Sequence, residues 1–337
     1  MITAHYIRTH LDDLASAITD RHFAVHAKAM NRQRCLEDAR FHLQYLAIAL
    51  DADSPAMFID YIGWTKVVLA KRNITQDDLA KNLEIITSVL PDHPDALDYL
   101  RAALEQLPAL PDDVPSFLDP RAPLWSVASE YLRALLRANR REAMEVIVGT
   151  LDGGASLRDV YRHVFEPAQQ EIGRLWQLNQ ISVAQEHFCT AATQHIMTQL
   201  YSRIFGAGPK RGLRAVAMCV GRELHEVGLR IITDLLELDG WQTWYLGASV
   251  PPAAAVQLCV DQKADFLLVS ATLPPHIAEV GELVRIFHAR PELERARVIV
   301  GGRAFRMAPE VWRTIGADGF AANADDGLAL LNRLTAA

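Results

Sequence analysis

Apolar residues recur at three- and four-residue spacing through the first third of the chain. LDDLASAITDRHFAVHAKAM (11–30) and DARFHLQYLAIALD (38–51) are examples, each with an acidic polar face. That period gathers apolar side chains on one side of a helix, so residues 1–106 are predicted to be all-α. The pattern breaks at LPALPDDVPSFLDPRAP (107–123). Proline lacks a backbone N–H and its ring crowds the preceding turn, so no continuous helix crosses this stretch. It is expected as a linker or an irregular wrap. Helical spacing resumes over 124–206. SVASEYLRALLRANRREAMEVIVGTL (126–151) predicts one or two helices. SLRDVYRHVFEPAQQEIGRLWQL (156–178) predicts another, with Ser156 as its cap and Asp159 three residues on. ISVAQEHFCTAATQHIMTQLYSRIF (181–205) predicts the last. Helices of this length with short connections form a four-helix bundle.

After the turn-rich GAGPKRG (206–212) the period changes. LRAVAMC, WQTWYLG, DFLLVSA, RVIVGG and DGFAA are short apolar runs separated by helical stretches. Such alternation predicts a parallel sheet with helices on both faces. Five strands suit a doubly wound, flavodoxin-like (Rossmann-like) domain over 211–337, with its ligand at the carboxyl ends of the strands.

Half of the 337 residues are hydrophobic and the formal net charge is −7, which does not suit a generic polyanion binder. Residues 1–113 carry 11 Lys and Arg against 17 Asp and Glu. A DNA-binding module shows the opposite balance. ITQDDLAKNLEIITSVL (74–90) has a faint T-x-x-x-L-A-x-x-L pattern, but no basic recognition helix follows it. The region is therefore expected to serve protein interaction or dimerisation, with no direct nucleic-acid contact. His22 and His26 stand at i, i+4, a spacing that can hold metal, yet no third ligand lies near in sequence and two ordinary helix histidines are favoured. Cys35, Cys189, Cys219 and Cys259 form no C-x-x-C pair. The opening residues lack a signal peptide's apolar core, and no apolar run nears the ~20 residues that span a bilayer. A reducing, cytoplasmic setting without a membrane partner is expected. Nucleophile-elbow, P-loop and dinucleotide patterns are not found, and no enzymatic activity is expected.

The chemistry gathers at the strand ends. Glu223-Leu224-His225-Glu226-Val227-Gly228 follows the first strand. An imidazole there can coordinate a borderline metal, and Glu223 can accept the hydrogen bond of its other ring nitrogen. Gly228 allows close approach of something bulky. Ser270-Ala271-Thr272 follows the third strand and Gly301-Gly302 the fourth, which would leave a slot between loops.

This E-x-H-x-x-G, S-x-T and G-G series resembles the cobalamin-binding domain, whose motif carries aspartate where Glu223 stands. The resemblance implies base-off/His-on cobalamin, with His225 as lower axial ligand of cobalt and the nucleotide tail in the slot. Upstream, Trp176 is followed ten residues later by Glu186-His187, within FEPAQQEIGRLW…ISVAQEHF. This is similar to the cap of CarH-type adenosylcobalamin photoreceptors, where the tryptophan packs against the upper adenosyl group with the Glu-His pair beside it. There a histidine directly after the tryptophan ligates cobalt once light has removed the adenosyl group. Here that position is Gln177, so water, His187 or His195 would have to fill it. The resemblance implies a light sensor without its own DNA-binding module, as in AerR-type antirepressors. It would signal to a regulatory protein through residues 1–106, with homo-oligomerisation expected. Methylcobalamin or hydroxocobalamin are further candidate forms of the cofactor. The alternatives are a corrinoid methyl carrier of a methyltransferase system, a mutase subunit, and a cobalamin sensor without light response.

Overall fold

The computed structural model describes residues 2–25, 31–204, 210–308 and 310–336. The chain divides into two compact units, Met1–Val114 and Pro115–Ala337. Among the described residues no helix is long and apolar enough to cross a membrane.

The first unit holds α1 (Ile2–Thr9), α2 (Leu11–Val25), α3 (Arg32–Asp51), α4 (Pro55–Ala70), α5 (Gln76–Val89) and α6 (Pro94–Gln106). Their starts are written in the sequence. Asn31 caps α3 by accepting from the Arg34 N–H, and Thr75 with Asp78 forms a reciprocal capping box at α5. Pro55 and Pro94 sit in first turns, where a missing N–H breaks no helical bond. Leu79, Leu83 and Ile86 of α5 are buried, so the helix within residues 74–90 is packed on the core. His22 is buried on α2, and His26 lies outside the described residues. The buried Lys66 ammonium donates to the Leu107 and Leu110 carbonyls (3.2 and 2.7 Å) and pairs with Asp112 (2.9 Å). These contacts anchor the start of the proline-rich stretch.

The second unit begins with α7 (Trp125–Leu136) and α8 (Arg140–Asp152), followed by α9 (Leu157–Val160), α10 (Glu166–Gln177), α11 (Val183–Gln199) and α12 (Tyr201–Ile204). Ala138, in a left-handed conformation, and the cap Asn139 separate α7 from α8, so 126–151 forms two helices. A π-type turn, Tyr161–Phe165, joins α9 to α10. Pro167 explains it: without an N–H, and with a ring that crowds the carbonyl four residues back, it cannot continue an ordinary helix. Ser156 caps α9 as expected, accepting from the Asp159 N–H at 3.0 Å. Buried Glu171 on α10 accepts from the Phe117 N–H (2.9 Å) and the Ser116 hydroxyl (3.1 Å), which ties down the end of the proline-rich stretch.

The sheet has β1 (Arg214–Cys219), β2 (Gln242–Tyr245), β3 (Phe266–Ser270), β4 (Arg297–Gly301) and β5 (Gly319–Ala321). Their order is β2-β1-β3-β4-β5 and every pairing is parallel. α13 (Val227–Leu238) packs with the last helix, α16 (Ala324–Ala336), and α14 (Pro252–Gln262) with α15 (Ile277–His288). The expected flavodoxin-like fold is therefore present. Strand order reverses between β1 and β3, which opens a crevice at their carboxyl ends. Register sets Cys219 beside Ser270, and Ser270 beside Gly301, so three strand ends meet that crevice together. The bundle and the α13 side of the sheet share one apolar core, which includes Tyr161, Phe165, Ile196, Leu229 and Leu235.

Candidate functional site

β1 ends at Cys219 and the chain turns at once. Gly221 takes φ +55°, and a Cβ there would lie 1.8 Å from Glu279 Oε2. Only glycine fits. The Glu223 N–H then donates to the Val220 carbonyl at 3.0 Å, and this tight turn draws the Glu223 side chain inward to 0% exposure. Its Oε1 accepts from the His225 backbone N–H (3.0 Å) and from His225 Nδ1 (2.5 Å). Its Oε2 accepts from the Thr272 and Leu273 N–H groups (2.6 and 3.1 Å) and from His276 Nδ1 (3.2 Å). One carboxylate thus joins the loops after β1 and β3 across the point of strand reversal.

Burial alone would raise the Glu223 pKa. The hydrogen bonds from the His225 and His276 rings and the His225 N–H outweigh it and hold the group well below the usual carboxylate range. An ionised carboxylate only accepts, so Nδ1 of His225 carries the proton. In the neutral ring Nε2 then holds the lone pair, and the side chain is 60% exposed. The hydrogen bond to Glu223 raises the pKa of His225 against an opposing burial effect, and the charges of Glu223 and Glu186 add to the rise. A carboxylate behind an imidazole makes the ring a stronger donor to a metal.

Leu224, next to His225, is 68% exposed, and Leu273 beyond the β3 end is also exposed. Gly228 lies in the first turn of α13, and among the described residues nothing outside its own helix comes within 4 Å of where a Cβ would stand. Glycine weakens a helix by up to ~1 kcal/mol relative to alanine, and no packing inside the protein requires it here. A single imidazole nitrogen, an apolar rim and an uncrowded helix start fit a large planar cofactor that brings its metal with it. Val227 is buried in the core, and Glu226 faces the bundle.

Gly301 and Gly302 have a different local reason. Gly302 takes φ +96°, and a Cβ would lie 2.3 Å from the Ala271 carbonyl oxygen. A side chain at this position would run into the backbone after β3. Ser270 ends β3 in line with this pair, and Thr272 contributes its N–H to Glu223.

On the bundle, Trp176 closes α10, half-buried against the shared core. Ser182 and Gln185 form a capping box that starts α11 and sets Glu186 and His187 in its first turn. His187 Nδ1 lies 2.5 Å from Glu186 Oε2, and Thr190 donates to Glu186 Oε1 at 3.1 Å. Glu186 is near enough to act on the charge of His225. Gln177 is buried within the bundle. His195 lines a groove with Asn139, Arg140, Met144 and Glu145.

The sequence reading missed what joins bundle to sheet. Gln194 of α11 donates to Glu226 Oε1 at 2.6 Å. Arg230 of α13 donates to the Gln194 carbonyl (3.2 Å) and the Thr198 hydroxyl (2.9 Å). Tyr161, in the π-type turn, donates to Asp234 Oδ2 of α13 at 2.7 Å, and both side chains are buried. No spacing pattern links residues 32 to 73 positions apart, so only an exposed-looking polar residue on an apolar helix face hinted at them.

Residues 213–331 match the family described as B12 binding domain, and residues 127–201 match a second family of the same description. The HTH-type transcriptional repressor CarA of Myxococcus xanthus is 29% identical over 158 residues, 46% of this chain and 52% of the repressor. The chain thus spans about half that relative's length. A corrinoid protein of Desulfitobacterium hafniense is 21% identical over 63% of this chain and 98% of its own. The monomethylamine corrinoid protein of Methanosarcina barkeri shares the fold, with a TM-score of 0.54 at 18% identity, over 64% of this chain and 100% of its own. The bundle and the sheet are therefore B12-binding domains, and the chain is a cobalamin-binding protein.

Proposed function

We propose that the protein is an adenosylcobalamin-dependent light sensor that regulates a partner protein, with residues 1–106 as the output region. Bound adenosylcobalamin would supply a light-labile bond between cobalt and its upper adenosyl group. His225 would hold cobalt from below through Nε2, its ring fixed by Glu223. Trp176 would shield the upper face from water, and Glu186 with His187 would bind the polar part of the adenosyl group. Ser270, Thr272, Gly301 and Gly302 would line the nucleotide tail. Leu224, Glu226, Val227 and Gly228 would border the ring.

The observation that carries this reading is the Glu186–His187 pair set by the capping box at the start of α11, the helix that is bonded through Gln194 to Glu226 beside His225. A sensor needs cofactor states that favour different conformations. Trp176 and Glu186 would contact the upper group in one state only, and α11 is bonded directly to Glu226 beside His225. The acidic helices of the first unit suit a protein partner better than DNA. Homo-oligomerisation belongs to the same proposal.

The second reading is a corrinoid methyl carrier, favoured by the match to a corrinoid protein that covers 98% of that protein and 63% of this chain. Ligand preference separates the two. A sensor binds adenosylcobalamin in the dark and changes its absorption and hydrodynamic size under green light. A carrier prefers methylcobalamin and shows no light-driven change of size. Dark reconstitution with each cobalamin, followed by spectra and size-exclusion chromatography, tests this.

A further inference from the structure

Glu223 is divided between two loops. Oε1 serves His225, and Oε2 is held by three donors after β3. Two of these are backbone N–H groups that come with the loop. The side-chain donor is His276, 8% exposed, at the end of the single turn Pro274–His276. That turn is stiff, with two prolines fixing φ and the His276 N–H closing onto the Leu273 carbonyl at 3.0 Å. A carboxylate with one oxygen fixed from several directions cannot rotate freely. Its other oxygen is then aimed at one place, the Nδ1 of His225.

We propose that His276 is a positioning residue for His225, acting through Glu223: a His276–Glu223–His225 relay holds the His225 ring in one tautomer with Nε2 facing outward. The proposal rests on His225 being the cobalt ligand. Nothing in the spacing of the E-x-H-x-x-G series implies it, because His276 lies 53 residues from Glu223. Without His276, Oε2 keeps only the two backbone donors, and both carboxylate and ring gain freedom.

The test uses the full chain and two polar variants. In His276→Asn the amide nitrogen can stand where Nδ1 stood; in His276→Gln it stands nearer the position of Nε2 and misses Glu223. Long-range proton–nitrogen NMR of cofactor-free protein, labelled on its histidines and held at alkaline pH, reads the His225 tautomer. Titration with hydroxocobalamin in dim red light reads affinity and the His-on spectrum. Wild type and His276→Asn should show one Nδ1–H tautomer and matching spectra. His276→Gln should show mixed tautomers, a partly base-off spectrum and binding weakened at least ~10-fold, as for loss of a group that orients a metal ligand. A His276→Gln protein with wild-type tautomer and affinity overturns the proposal, as does a His276→Asn protein no better than His276→Gln. His225→Ala runs in parallel. If its hydroxocobalamin spectrum equals wild type, the ligand assignment falls and takes this proposal with it. If that spectrum changes while His276→Gln matches wild type, only the role of His276 falls.

Discussion

The two sides of the candidate site are built to different standards. On the sheet side, five hydrogen bonds converge on one carboxylate with no exposure, and His225 is set before any ligand arrives. On the bundle side, His187 is 70% exposed and its ring bonds to its own neighbour, Glu186. On the proposed reading, rigid support suits the lower ligand of cobalt, and a loosely held pair suits an upper face that responds to the group above it. Preorganisation and adaptability are thus separated by element, the first on strand-end loops and the second on a helix start.

Removing the carboxylate has the largest expected effect. Glu223→Ala leaves the Thr272 and Leu273 N–H groups and two imidazoles without their acceptor. Orphaned buried donors make this a loss of about 3 kcal/mol in urea unfolding, with a fall in hydroxocobalamin affinity of ~10- to 100-fold. Stability within ~0.5 kcal/mol of wild type would show that the sheet side is no more built than the bundle side.

The seam between the two sides gives a smaller effect with a defined sign. Burial lifts Asp234 to about 6, against hydrogen bonding from Tyr161 and the charge of Arg230. Folded protein therefore binds a proton here that unfolded chain has already lost. The resulting stability is complete below the ordinary aspartate range and is lost as pH rises through about 6. Asp234→Asn removes that dependence. From pH 5 to pH 7.5 its stability should gain on wild type by roughly 1–2 kcal/mol, following about 1.4 kcal/mol per unit of pKa difference. Parallel urea titrations at the two pH values measure it, and identical pH profiles would refute the assignment.

The smallest change in stability belongs to the bundle face. His187→Ala should stay within ~0.5 kcal/mol of wild type, as for an exposed side chain. Its preference for adenosylcobalamin over hydroxocobalamin should nonetheless fall severalfold in dark titrations. A variant with unchanged preference would remove His187 from the upper face.

Local chemistry was readable from the residues and long-range convergence was not. β1 and β3 read as apolar runs because both faces of those strands are covered. The Glu223–His225 bond was readable because the partners stand two residues apart. His276, Thr272 and Leu273 reach the same carboxylate from about 50 residues away, and no periodicity records such a meeting. The π-type turn before Pro167 was read as plain helix, since its apolar spacing is helical throughout. Gly302 shows the opposite risk. Its place at a strand end suggested room for a ligand tail, while its immediate reason is the backbone of Ala271. The apolar faces of the bundle and of the α13 side of the sheet close on one core, and the sequence pattern cannot show this because each half looks amphipathic by itself.

The central claim joins a fixed His225 below to a responsive bundle face above. Its most direct test is the absorption spectrum of full-length protein reconstituted with adenosylcobalamin in the dark, before and after green light, alongside His225→Ala. The account expects a His-on spectrum in wild type that converts irreversibly with a change in hydrodynamic size, and loss of that spectrum in the variant. Adenosylcobalamin bound by both proteins with the same spectrum, and no change of size on illumination, would contradict it.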